Sequence, residues 1–228
     1  MANNISLKTI KRKFRISKNR KVFDLSDVPL KYKNLAKKIM RSSSVWGSHH
    51  TIQFPDGFVL KGGRDQSRID MFELPLDLES NTVLDIGCNI GAITIECKKR
   101  NAKRIVGIDK DKNLIECAIE IARIFDLEIE YRTFDIKDEE ISERFDYVFF
   151  LNVFHHLDEK NKIRALRNVD RITMKRLFFE APIGGDIVSE TYLTTEDYLS
   201  YFRGFTTFTN ISLVGYSDFN RPILLCER

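Results

Sequence analysis

Val83-Leu84-Asp85-Ile86-Gly87-Cys88-Asn89-Ile90-Gly91 is a short apolar run that stops at a glycine-spaced turn, and helical spacing follows from Ile90 to Arg100. This is a buried strand feeding a helix through a tight turn. The same unit recurs downstream. Arg104-Ile-Val-Gly-Ile ends at Asp109, and apolar residues at 114, 115, 118, 119, 121 and 122 predict a helix over Asn113–Phe125. Glu128–Thr133 reads as a strand ending near Asp135, and Asp146–Leu151 as a strongly apolar one. Asp158 can cap a helix to about Arg171, and Leu177–Glu180 is a further strand. Strand and helix alternate with short links, which predicts an α/β fold built on a parallel sheet covered on both faces.

The end of the chain breaks this rhythm. Thr194-Thr-Glu-Asp opens a helix with a capping-box-like start. Thr206–Gly215 and Arg221–Glu227 are then two strands with no helix between them, so an antiparallel hairpin is expected at the C-terminal edge. Upstream, Val28, Leu30, Leu35, Ala36, Ile39 and Met40 give an amphipathic helix with a Lys-rich outer face, Pro29 in its first turn and Ser42-Ser43-Ser44 as its stop. Thr51–Phe54 and Phe58–Leu60 flank Pro55-Asp56-Gly57 as a β-hairpin, and Gln66–Leu74 is a short helix. The expected organisation is a basic arm over 1–27, a small helical and hairpin cap over 28–79, and the main domain over 80–228.

Composition supports an ordered chain. Of 228 residues, 43% are hydrophobic and 31% charged, enough for an ordinary core without disulfide or metal staples. No apolar run reaches the roughly 20 residues of a membrane-spanning helix, and Met1–Ile10 lacks the apolar block of a signal peptide. Cys88, Cys97, Cys117 and Cys226 form no C-x-x-C pair, which argues against a zinc site and for a reducing, cytoplasmic setting, with no metal expected. The net charge of +4 is unevenly spread. Residues 1–41 hold 13 Lys/Arg and two acids, a balance of +11, whereas residues 42–228 hold 24 and 31, a balance of −7. Such an arm can track phosphates, or it can be a solvated terminus.

Ligands of open α/β sheets bind at the carboxyl ends of the strands. Gly87 and Gly91 let backbone approach a ligand there. A dinucleotide fingerprint needs G-x-G-x-x-G, but this turn reads G-C-N-I-G-A. Asp85 would repel a pyrophosphate and could orient a cationic ligand, so a nicotinamide cofactor is disfavoured. Asp109 lies 22 positions after Gly87, a spacing suited to ribose hydroxyls. Asp135 could accept from an adenine amino group. Phe150-Leu151-Asn152-Val153-Phe154-His155-His156 closes the fourth strand. Singly, each acid is also an ordinary turn former; the ordered set is the signal.

Asp85-x-Gly87-x-x-x-Gly91, Asp109, Asp135 and Asn152 through His156 together resemble the class I S-adenosylmethionine-dependent methyltransferases. The resemblance covers residues 80–228 and implies a Rossmann-like, doubly wound, mostly parallel seven-stranded sheet ending in an antiparallel hairpin. It implies S-adenosylmethionine as cofactor. Asp85, Gly87, Cys88, Asn89 and Gly91 would surround its methionine moiety, Asp109 with Lys110 its ribose, and Asp135 with Ile136 its adenine, while Leu151 and Asn152 would flank it. A narrower resemblance runs through Trp46-x-x-x-His50-Thr-Ile-x-x-Pro55-Asp-Gly57, Gly62-Gly63, Gly87-Cys-Asn-x-Gly91 and Phe154-His-His156-Leu. It points to the subgroup related to tRNA wobble-uridine carboxymethyltransferases. Those enzymes carry a basic Trp-Arg-Lys-Gly stretch whose lysine helps hold a carboxylated cofactor. This chain has Trp46-Gly-Ser-His there, which implies unmodified S-adenosylmethionine.

Methyl transfer from a sulfonium is an in-line displacement, and a hydroxyl nucleophile would gain from a general base. His156, then His155, are the candidates, since both follow the fourth strand; each could instead hydrogen-bond its own loop. Trp46 and His50 are expected as a wall over the site or as cap packing, and Arg64 and Arg68 as contacts to an anionic substrate group or as ordinary surface arginines. The expected acceptor is an oxygen or nitrogen of a small molecule or glycan. RNA, contacted by the basic arm, and a non-catalytic binding module on the same fold are the alternatives.

Overall fold

The computed structural model describes residues 24–42, 50–64, 67–184, 193–217 and 220–228. Trp46, the side chain of Arg68 and residues 1–23 of the basic arm lie outside the described residues.

The chain enters through a 3-10 turn (Leu30–Tyr32) and helix α1 (Lys33–Ser42), then a hairpin of β1 (Ile52–Gln53) and β2 (Val59–Leu60), then a 3-10 turn (Ser67–Phe72). The main elements follow: β3 (Thr82–Ile86), α2 (Ala92–Lys99), β4 (Arg104–Asp109), α3 (Lys112–Ile124), β5 (Glu130–Thr133), β6 (Phe145–Leu151), α4 (Glu159–Ile172), β7 (Thr173–Glu180), α5 (Thr195–Phe205), β8 (Asn210–Ser217) and β9 (Arg221–Glu227). Strands β3 to β9 form one seven-stranded sheet in the order β5-β4-β3-β6-β7-β9-β8. The pairs among β3 to β7 are parallel, and β9 is antiparallel to both β7 and β8. Strand order reverses between β3 and β6, which places a crevice at their carboxyl ends.

Burial explains why these runs are strands. Every residue of β6 is buried, as befits a central strand covered on both faces. Phe150, Val148 and Phe179 pack on one face with Leu166, Tyr198 and Phe202. Tyr147, Phe149 and Phe178 pack on the other with Phe72, Leu78 and Cys97. Phe72 lies edge-on to Phe149 at 5.4 Å and tilted to Phe178 at 5.2 Å, so the turn before β3 seals that face. A third cluster joins Tyr32, Leu35, Ile39, Phe54 and Leu60 to Ile95, Leu114, Cys117 and Ile121, docking α1 and the hairpin on α2 and α3.

Several boundaries differ from expectation for local reasons. Helix α2 begins at Ala92 because Gly91, its N-cap, is left-handed at φ 82°. The 66–74 segment winds as a 3-10 turn over Ser67–Phe72. Strand β7 starts at Thr173, directly from α4, four residues before Leu177. The Asp158 cap and the Thr194–Asp197 capping box form as expected.

Candidate active site

The turn between β3 and α2 is held in an uncommon backbone path. Gly87, Asn89 and Gly91 have φ of 77°, 53° and 82°. A Cβ on Gly87 would stand 2.3 Å from Val153 Cγ2, so only glycine lets the β6 loop close over the turn. The amides of Gly87 and Cys88 both donate to Ile108 O, at 2.8 and 2.9 Å. Asn89 N donates to Asp109 Oδ2 at 3.0 Å, and Asp111 N to Asp109 Oδ1 at 2.9 Å. Asp109 therefore ties the turn to the end of β4. Burial pushes its carboxyl above the ordinary value, while these two amides pull the other way. Burial first, and the charges of Asp85 and Asp109 second, push the Cys88 thiol well above its ordinary value, so it stays a neutral packing group.

Asp85 is 3% exposed, and its register partners are Gly107 and Phe149. Asp135 caps its own turn, accepting from Lys137 N at 2.9 Å, and Ile136 is buried beside Ile108 and Ile141. Leu151 is buried at the end of β6, and Lys110 is exposed beside Asp109. Asn152 is left-handed at φ 59°; its N–H donates to Glu180 O at 2.6 Å, and its Oδ1 accepts from Arg221 Nη1 at 2.6 Å.

His155 and His156 lie in a 3-10 turn (Phe154–His156) just past β6, with ring centroids 3.8 Å apart. His156 is exposed and His155 half-buried. Partial desolvation first, and the charges of Lys110, Lys137 and Arg221 second, hold the His156 imidazole below its ordinary pKa. A neutral imidazole at neutral pH is what proton abstraction needs.

The cap reaches the same edge of the sheet. His50 bridges Arg64, and Thr51 N donates to Arg64 O at 2.8 Å. Gly62 permits this closure, because a Cβ there would stand 2.1 Å from the His50 carbonyl carbon. The Arg64 side chain is buried, not surface-exposed, and donates to Glu180 Oε1 at 2.6 Å; Ser217 Oγ donates to the same oxygen at 2.7 Å.

Three residues here escaped the sequence reading. Val153 closes over Gly87, Glu180 gathers the cap and the hairpin, and Tyr131 lies beneath the turn. Gly107, a glycine inside a strand, was the available signal of a close approach.

A buried carboxylate below a left-handed, glycine-spaced turn and a carboxylate at the next strand end fit a ligand bearing both an ammonium and a ribose. Residues 83–175 match the family model described as a methyltransferase domain. Ribosomal protein L11 methyltransferase of Thermotoga maritima is 35% identical over 108 residues, which are 47% of this chain and 39% of that protein. This chain thus spans less than two thirds of that relative's length. Among solved structures, the bifunctional kinase-methyltransferase WbdD superposes with a TM-score of 0.59 at 23% identity over 73% of this chain and 40% of that one. The N-methyltransferase NodS of Bradyrhizobium japonicum, in complex with S-adenosyl-L-homocysteine, gives 0.54 at 20% identity over 71% of this chain and 84% of that one. These two share its fold.

Proposed function

We propose, from the premise that the chain is a class I S-adenosylmethionine-dependent methyltransferase in domain and fold, that it transfers a methyl group to an oxygen or nitrogen of a small molecule or glycan. The observation that carries this reading is the Gly87–Gly91 turn held by Asp109 at the strand-order reversal. S-adenosylmethionine, when bound, supplies the electrophilic methyl. Asp85 and the turn backbone would hold its methionine end, Asp109 with Lys110 its ribose, Asp135 and Ile136 its adenine, and Leu151 and Asn152 its flank. Holding donor and acceptor in line is the main task of the protein, because orientation alone contributes about 7–11 kcal/mol. His156 would take the proton of a hydroxyl acceptor, with His155 beside it. The N-methyltransferase named among the neighbours supports a nitrogen acceptor, for which a neutral amine needs less help from a base. His50 and Trp46 would wall the acceptor side. Arg64 would act through Glu180, and Arg68 would meet an anionic group.

A second reading, RNA methylation, takes support from charge. Lys31, Lys33, Lys37, Lys38 and Arg41 fall within eleven residues that hold no acid, and the arm before them adds eight more Lys/Arg. Lys31 and Lys38 are engaged by Asp56 and Glu120. Phosphate-driven binding weakens steeply with salt. Labelled tRNA titrated at low and moderate salt, with the chain and with a variant lacking residues 1–27, separates the two readings. Salt-sensitive binding that needs the arm favours RNA, and no tRNA binding at low salt favours the small acceptor. Calorimetry with S-adenosylhomocysteine tests the whole reading: a folded chain that binds none is a non-catalytic module.

A further inference from the structure

Tyr131 stands on β5, the edge strand, in register with Gly107 on β4, which is in register with Asp85 on β3. Register partners project to one face of a sheet. Because position 107 has no side chain, the Tyr131 ring lies across it: a Cβ at 107 would be 2.7 Å from Tyr131 Cδ1 and Cε1. The hydroxyl then arrives under the turn, 2.2 Å from where a Cβ on Gly91 would be. There it meets Thr94 Oγ1 at 2.6 Å, and Thr94 Oγ1 donates to Gly91 O at 2.8 Å. Thr94 has one hydroxyl proton, and Gly91 O takes it. The Tyr131 O–H must therefore donate to Thr94. Burial pushes the Tyr131 phenol far above its ordinary pKa, so it keeps that proton.

We propose that Tyr131 and Thr94 are positioning residues for the cofactor turn: their two-bond relay fixes the Gly91 carbonyl, and with it the left-handed path of residues 87–91, before ligand arrives. The inference rests on the functional reading above and goes beyond it in assigning these two side chains. Backbone in sparsely populated conformations persists only where its surroundings over-determine it. From above, Ile108 O and Asp109 hold Gly87, Cys88 and Asn89. From below, the relay joins the Ile95 amide, 3.0 Å from Gly91 O, in holding Gly91. A turn ordered in advance spends less of its contact energy on ordering when ligand binds.

The test is calorimetry with S-adenosylhomocysteine, paired with thermal unfolding, on the full chain. Tyr131→Phe keeps the ring and removes one hydroxyl. It should weaken binding about three- to tenfold, the span expected for one buried hydrogen bond. Thr94→Val removes both bonds and should weaken it further, while Thr94→Ser, which keeps the hydroxyl, should restore the unaltered affinity. Tyr131→Phe combined with Thr94→Val should be no worse than Thr94→Val alone, because one relay is cut twice. Lower melting temperatures with unchanged affinity in Tyr131→Phe and Thr94→Val would make the relay merely structural and overturn the inference. Should the unaltered chain bind no S-adenosylhomocysteine, the functional reading and this inference fail together; equal affinity in the unaltered chain and Tyr131→Phe sinks this inference alone.

Discussion

Arg64 and Glu180 form a buried ion pair, Nη1 to Oε1 at 2.6 Å, across 116 positions of sequence. The side chains are 9% and 0% exposed, so neither charge is screened as a surface pair would be. Removing one partner strands the other charge in a dry setting. Arg64→Ala should therefore destabilise the fold by about 3–5 kcal/mol in urea denaturation. Glu180→Gln, which can still accept from Arg64 and Ser217, should leave that guanidinium's charge unbalanced but hydrogen-bonded and cost less. Equal stability of Arg64→Ala and the unaltered chain would refute the pair's structural weight.

Gly87 faces two separate penalties on gaining a side chain. Its φ of 77° disfavours any L-residue, and its Cβ would strike Val153 Cγ2. Gly87→Ala should lower stability by about 1–3 kcal/mol. Adding Val153→Ala should relieve the clash and leave the dihedral cost, so the double variant should recover only part of the loss. Full recovery would show that sterics alone require the glycine.

Asp109 offers one carboxylate oxygen to Asn89 N and the other to Asp111 N. Asp109→Ala releases the turn and removes the acceptor proposed for ribose hydroxyls. Charge-assisted bonds of this kind are worth about 1.5–3 kcal/mol, so S-adenosylhomocysteine affinity should fall at least tenfold. An unchanged calorimetric affinity would remove Asp109 from the cofactor site.

His156→Ala should spare S-adenosylhomocysteine affinity and slow transfer to a hydroxyl acceptor by about 100-fold or more. Partial desolvation first, and nearby positive charges second, lower the folded pKa of His156 below the unfolded 6.5. Transfer should thus hold through neutral pH and decline as pH falls through that lowered value. The sign for stability is the same. The unfolded chain binds the proton more readily, so a destabilising contribution grows as pH drops from 6.5 toward the folded pKa and is absent above 6.5. Equal turnover of His156→Ala and the unaltered chain would exclude this base.

Much of this molecule was legible because its signals are local. Val83–Ile86 is apolar but for Asp85, and Tyr147–Leu151 is apolar throughout, as a sheet covered on both faces asks. Gly87, Asp109 and the Asp158 cap sit where strand and helix ends require them. What stayed hidden is carried by pairs distant in sequence. Arg64 read as a surface cation because nothing near position 64 announces Glu180. Tyr131 read as an ordinary strand residue because its partner, Thr94, lies 37 positions away on a helix. Glycine at 107 hinted that something approaches, without saying what.

The cap docks on parts of the chain that are made after it. Helix α1 needs Leu114, Cys117 and Ile121 to cover Leu35 and Ile39, and Arg64 needs Glu180. At about 5–20 residues per second, the wait between Arg64 and Glu180 is on the order of ten seconds. The apolar side of α1 gains its native cover sooner, once Leu114, Cys117 and Ile121 have been made. The two anchors of the cap thus lie at different depths of the chain, α1 on α2 and α3 and Arg64 on Glu180 of β7.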